Sequence, residues 1–164
     1  AVYVWMPALL AADGAATLLP GAWALSTFFV LRAVGRFAGA WTLERLGWAR
    51  TLAVCGAVVL ACFAGALAGG RQAAATLLPL SGLFMSVLYP TLNSRAISGF
   101  PTERHGAAAG FILFVTCLSA VLSPLAIGAA SDAFGGPRAG FVLATGMALA
   151  LAGALAFNAA GNRA

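Results

Sequence analysis

Apolar residues fill six long stretches of this chain, and polar residues gather in the short gaps between them. The stretches cover residues 1–12, 19–43, 51–67, 73–97, 106–130 and 139–157. A helix needs about 20 residues to cross the hydrocarbon core of a bilayer. The pattern therefore predicts one truncated span followed by five full ones. Pro20 falls in the first turn of the second stretch, where proline is tolerated. Pro90 is expected to break the fourth stretch, and Pro124 lies inside the fifth. The gaps are short, so successive helices are expected to be antiparallel neighbours. The fold class expected is an all-α membrane protein with six transmembrane helices and no separate soluble domain.

Composition agrees. Hydrophobic residues make up 62% of the chain and charged residues 8%, against about 25% charged in soluble domains. Nine arginines, no lysine and four acids leave a net charge of +5. The arginines stand singly between apolar runs, which argues against nucleic acid as a partner. Cys55, Cys62 and Cys117 all lie in apolar stretches without metal-ligand spacing and read as small packing residues. Arg36, Arg45, Arg50, Arg95, Arg104 and Arg163 fall at one set of span ends, Arg71 and Arg138 at the other. The richer side is expected to be cytoplasmic, which puts the C-terminus inside. The chain opens on alanine within an apolar stretch, without a signal-peptide pattern, and is expected to be part of a longer protein.

Two polar passages echo each other. "AWTLERLG" closes the second stretch and "GAASDAFG" the fifth, both reading small-x-x-x-acid-x-x-Gly. Their acids, Glu44 and Asp132, stand 88 positions apart, about three spans. An odd number of spans puts the copies on opposite membrane faces, as in the inverted three-plus-three repeats of secondary transporters. In each copy the small residue permits close helix approach, the acid offers acceptors at a helix end, and the glycine reverses the chain.

The first of these passages resembles helix 8 and the following loop of the major facilitator superfamily. There the pattern is glycine, three residues, Asp, Arg, x, Gly and then basic residues. Here Ala40, Glu44, Arg45, Gly47 and Arg50 occupy those places, with alanine for glycine and glutamate for aspartate. "VGRFAGAW" (34–41) is similar, more narrowly, to the fucose–galactose–glucose:proton symporter family, as are "LYPTLNSRAISGFP" (88–101) and "PLAIGAASDAFG" (124–135), which match helices 10 and 11 of that group. The resemblance covers nearly the whole chain. It implies that residues 1–164 are helices 7–12, the C-terminal six-helix half of a twelve-helix transporter in a bacterial inner membrane. The N-terminal half and the lipid bilayer would be its partners.

Candidate chemistry sits in a few places. Arg32 lies roughly 15 Å along the helix from Leu43, near the expected midplane. A charge at that depth costs at least about 2.5 kcal/mol and must face protein or a wet cavity, so Arg32 is expected to meet substrate or a partner carboxylate. Arg36, with Gly35 and Gly39 beside it, is expected to latch the cytoplasmic face together with Glu44, Arg45 and Arg50, its guanidinium reaching outward to the interface, to Glu44 or to an acid on a neighbouring helix; Asp132 is the corresponding latch residue of the opposite face. In the fourth span Gly82, Ser86, Tyr89 and Asn93 recur at helical spacing. Asn93 offers donor and acceptor, Tyr89 a ring and a hydroxyl, as sugars require. Pro90 beside them is expected to mark a broken helix of the kind that lines transporter sites. Tyr3 and Trp5 occupy the matching place in the first span. Thr116, Ser119 and Ser123 are expected to be helix–helix contacts.

No catalytic residue and no metal or organic cofactor is expected. An intramembrane serine protease needs a histidine beside a serine, yet His105 is 24 residues from Ser81. A channel would show a pore-loop signature or charged rings, and the chain has neither. Every acid lies at a span end or in a loop, so a buried proton-carrying carboxylate is expected in the other half. The expected function is transport of a small polar solute, a sugar or sugar acid, by alternating access driven by a proton gradient. Export of drugs or metabolites by the same superfamily is the alternative.

Overall fold

A computed structural model describes residues 6 and 21–161. Five long helices follow one another: α1 (Gly21–Leu46), α2 (Trp48–Ala68), α3 (Gly70–Ser98), α4 (His105–Ala133) and α5 (Pro137–Gly161), with a short 3-10 turn at Thr102–Arg104 before α4. Glycines at positive φ mark three of the joins. Gly47 (φ 75°) separates α1 from α2, Gly70 (φ 69°) opens α3, and Gly135 (φ 80°) follows α4. Only glycine takes such angles without strain. After α4 the Gly136 N–H donates back to the Ser131 carbonyl at 2.8 Å, closing the helix as a Schellman turn, and Pro137 starts α5.

Helices α2, α4, α5 and residues 72–98 of α3 are long and apolar enough to cross a membrane. Helix α1 has the length, at 26 residues, and carries Arg32, Arg36, Glu44 and Arg45; the span expected over 19–43 begins outside the described residues. The expected span at 1–12 lies outside the described residues, apart from Met6, which is helical.

Chain order does not dictate the packing. Helix α1 runs mainly against α3, and touches its immediate successor α2 only lightly; α2 packs between α3 and α5, and α4 leans chiefly on α5. Short loops thus keep neighbours antiparallel without making them the closest pairs. Small residues decide which helices meet. A Cβ on Gly82 of α3 would stand 2.7 Å from the Phe28 carbonyl of α1, and one on Gly35 would strike the Leu83 carbonyl and Ser86 Oγ. Gly39 lies against Val87 in the same way. The α4–α5 pair uses the same device, with Gly140 against Ile127 and Ser131. Without a hydrophobic driving force between helices in lipid, such backbone approach is what holds a bundle together.

Pro90 does not break α3. The helix runs on through both Pro79 and Pro90 to Ser98. Proline removes one hydrogen bond, here the one a residue at 90 would donate to the Ser86 carbonyl. The turns on either side, together with packing against α1 and α2, keep the rod continuous.

Arginines tie the ends of the bundle. Arg95 at the end of α3 stacks over the Trp48 ring at the start of α2, 4.5 Å from its centroid. At the opposite end Arg138 of α5 donates to the Leu67 carbonyl at 2.9 Å, satisfying one of the acceptors that the last turn of α2 leaves open. Arg45, Arg50, Arg95 and Arg104 therefore share one end and Arg138 the other, which is the asymmetry visible along the chain.

Gly82→Ala and Gly140→Ala are each expected to destabilise the protein by about 1–3 kcal/mol, because backbone must move to admit the methyl group. Gly153→Ala, with open space around it, is expected to be neutral or slightly stabilising. Melting temperatures in detergent check this, and equal values for all three would contradict the close-approach account.

Candidate functional site

The glycine face of α1 settles what its neighbouring residues can reach. Gly35 and Gly39 press on α3, so Arg36 and Ala40, one position further round the helix, stand beside the contact rather than within it. On α3 the Ser86 side of the contact gives way to Tyr89, Pro90, Asn93, Ser94 and Ile97. Together these residues of α1 and α3 line an open pocket of about 500 Å³. It is about the size of ordinary small-molecule sites.

Its polar groups have distinct states. Ser86 is fully buried, and its hydroxyl donates to the Leu83 carbonyl at 2.7 Å, leaving only acceptor capacity for anything else. Tyr89 is exposed at the rim. Asn93 carries a buried side-chain carbonyl oxygen with no hydrogen-bond partner among the described residues. An unmet buried acceptor costs about 1–3 kcal/mol, and a ligand hydroxyl or N–H would relieve it. Arg36 is the one charged residue of the lining among the described residues.

The expected α3 stripe divides accordingly. Ser86, Tyr89 and Asn93 do come together, but Gly82 lies on the packing face against Phe28. Arg36 lines the pocket, and of the partners open to it Glu44 is not one in this structure: it stands two turns away and exposed, with no ion pair between them. The other expected latch residues divide between the two ends of the bundle, Arg45 and Arg50 at one and Asp132 at the other. Arg45 stacks on Trp41 of its own helix at 4.3 Å, Arg50 is exposed at the start of α2, and Asp132 is exposed in the last turn of α4. Arg32 is half-buried, one turn before Arg36 on the same face of α1, and is not among the pocket's lining residues. Tyr3 and Trp5 lie outside the described residues. Thr116 donates to its own helix at Ile112, 2.8 Å away, while Ser119 is exposed and Ser123 half-buried.

Sequence reasoning missed Ala40, Ser94 and Ile97 as pocket residues and placed Arg36 elsewhere. The signal was present: Gly35-x-x-x-Gly39 is a close-packing pattern, and fixing its face against α3 carries Arg36 and Ala40 to the pocket side. The Arg95–Trp48 stack had no such signal, since it joins residues 47 positions apart. Ser81 and His105 are far from any shared chemistry. The serine hydroxyl donates to Leu78 at 2.6 Å, and the imidazole Nε2 lies 2.9 Å from the Phe100 carbonyl.

Because Asn93 satisfies no internal bond through its carbonyl, Asn93→Leu is expected to leave the melting temperature unchanged or raise it. A drop of several degrees would mean that Asn93 acts as packing glue between helices.

Comparison with known proteins gives one informative match. The chain is similar to the L-fucose-proton symporter of Escherichia coli strain K12, 32% identical over 104 residues. The match takes in 62% of this chain and 23% of the relative, so the chain spans roughly a quarter of that protein's length. No family model matches, and no solved structure does.

Proposed function

We propose that the chain is the C-terminal half of a major facilitator transporter, and that it moves a sugar or sugar acid by alternating access coupled to protons. The observation carrying this is the α1–α3 pocket, where an arginine and a buried carbonyl oxygen without a partner among the described residues converge beside an aromatic ring. Such groups match a polyhydroxylated solute: hydroxyl donors for the Asn93 carbonyl, acceptors for the Arg36 guanidinium, a ring face against Tyr89. Similarity to a symporter whose name specifies L-fucose and protons points to the same class of solute.

In this reading six helices stand in two groups of three. Glu44 and Asp132 support the inverted repeat: each lies in the last turn of its helix, three residues before a glycine at positive φ. The other half, with the lipid bilayer around both, completes the cavity and supplies the proton-carrying carboxylate. Arg32 lies one turn deeper along α1 than Arg36, and the two arginines line the solute path in succession. Drug export is less well matched, because a charged and hydrogen-bonding lining discriminates against apolar compounds.

The complete transporter in weakly buffered proteoliposomes tests the proposal. Adding fucose, galactose, glucose and a sugar acid in turn should acidify the interior with at least one of them. No response to any would refute sugar–proton symport. Arg32→Ala is expected to abolish uptake while the protein still inserts, and unchanged uptake kinetics would remove Arg32 from the path.

A further inference from the structure

Resting on that transport reading, we infer that the solute is anionic: a sugar acid such as a uronate, its carboxylate held by Arg36 and a hydroxyl donated to Asn93. Among the described residues the pocket lining carries one full charge, and it is positive. No carboxylate of the lining offsets it, and Arg36 makes no ion pair among the described residues. The acids that are described, Glu44, Glu103 and Asp132, are exposed at helix ends or in the turn before α4, outside the pocket. A guanidinium presents a planar fork of donors that a carboxylate meets with two parallel hydrogen bonds, whereas a lone hydroxyl fills only part of it.

The second group sets what the rest of the solute must offer. The Asn93 side-chain carbonyl is a buried acceptor, unmet among the described residues, so the complementary group is a donor. Ser86 has already committed its proton to Leu83 and can only accept. One face of the pocket thus asks for an anion and the other for hydroxyl donors. A hexose answers the second demand alone, and a simple carboxylate the first alone. A polyhydroxylated carboxylate answers both. Its hydrocarbon ring face would lie against Tyr89, and about 500 Å³ is ample for one monosaccharide.

The α1–α3 contact fixes the backbone from which Arg36 extends. Gly35 and Gly39 on either side of it are pinned against Leu83, Ser86 and Val87 of α3, so the backbone carrying Arg36 cannot drift from the backbone carrying Asn93. The guanidinium therefore extends from a fixed backbone position on the pocket side of α1, within side-chain reach of a solute bound at Asn93.

Matched pairs of hexose and uronate, galactose with galacturonate and glucose with glucuronate, are the probes, measured as uptake by the complete transporter in proteoliposomes. A uronate is expected to be carried with a KM at least tenfold below that of its hexose. Arg36→Gln should raise the uronate KM tenfold or more and erase the preference, while Arg36→Lys keeps part of it. Asn93→Asp, which adds a negative charge opposite the carboxylate, should raise the uronate KM without the same penalty on the hexose. Should either arginine variant fail to insert, the Asn93→Asp result decides. A hexose carried as well as or better than its uronate would overturn the inference and leave the transport reading standing; Arg36 would then pair with a carboxylate of the other half. Uptake of neither member of any pair would overturn both.

Discussion

The polar residues of the pocket are placed by the contact between α1 and α3, where backbone meets side chain and backbone at Gly35, Gly39 and Gly82. Hydrocarbon around a helix is as apolar as its own leucines, so helices in lipid gain little by hiding leucine from it. What they gain is dispersion contact at short range, and glycine shortens the range. Once three glycines fix the crossing, the rotation of α1 about its axis is fixed as well. Arg36 and Ala40 then fall beside α3 at the level of Tyr89 and Asn93. The pocket is a by-product of packing, in the sense that no residue of it has to hold it open.

The same physics explains why so much of the surface is apolar. Phe37, Phe111, Phe114, Leu125 and Phe157 are exposed, and only 6% of the most apolar window of α4 is buried within the chain. In water such a surface would mark an aggregating protein. In a bilayer it is the solvated side. Helix α1 differs in kind, with Arg32 and Arg36 on a face beside a packed neighbour. Its charge fits a helix that borders a wet cavity rather than lipid alone.

Much of this was legible along the chain because hydropathy and arginine bias are local signals. The helices from α1 to α5 follow the apolar stretches to within a few residues, and Arg138 separates from Arg45, Arg50, Arg95 and Arg104 as the bias implies. Partner choice was not legible in the same way. That α1 prefers α3 over α2 depends on glycines 47 residues apart, Gly35 and Gly82, which no window along the sequence brings together. Pro90 misled for a related reason. A missing N–H is a local property, but whether the helix bends depends on neighbours that can carry the rod past it.

The two arginines of α1 show the limit most clearly. Depth along the helix made Arg32 the stronger candidate for chemistry, and nearness to Glu44 made Arg36 look structural. Depth ranks the cost of a charge but does not say what the charge faces. Rotation does, and rotation is set by the glycines. Arg36 stands 100° round from Gly35 and beside the open flank of α3, so it reaches the pocket although it lies nearer the helix end. Arg32, one turn earlier on the same side, continues that polar track toward the interior of the bundle. A solute entering from the α1 C-terminal end would meet Arg36 first and Arg32 next. Under the proposed transport reading, two positive charges in series would favour an anion at each step, with about one helical turn between them.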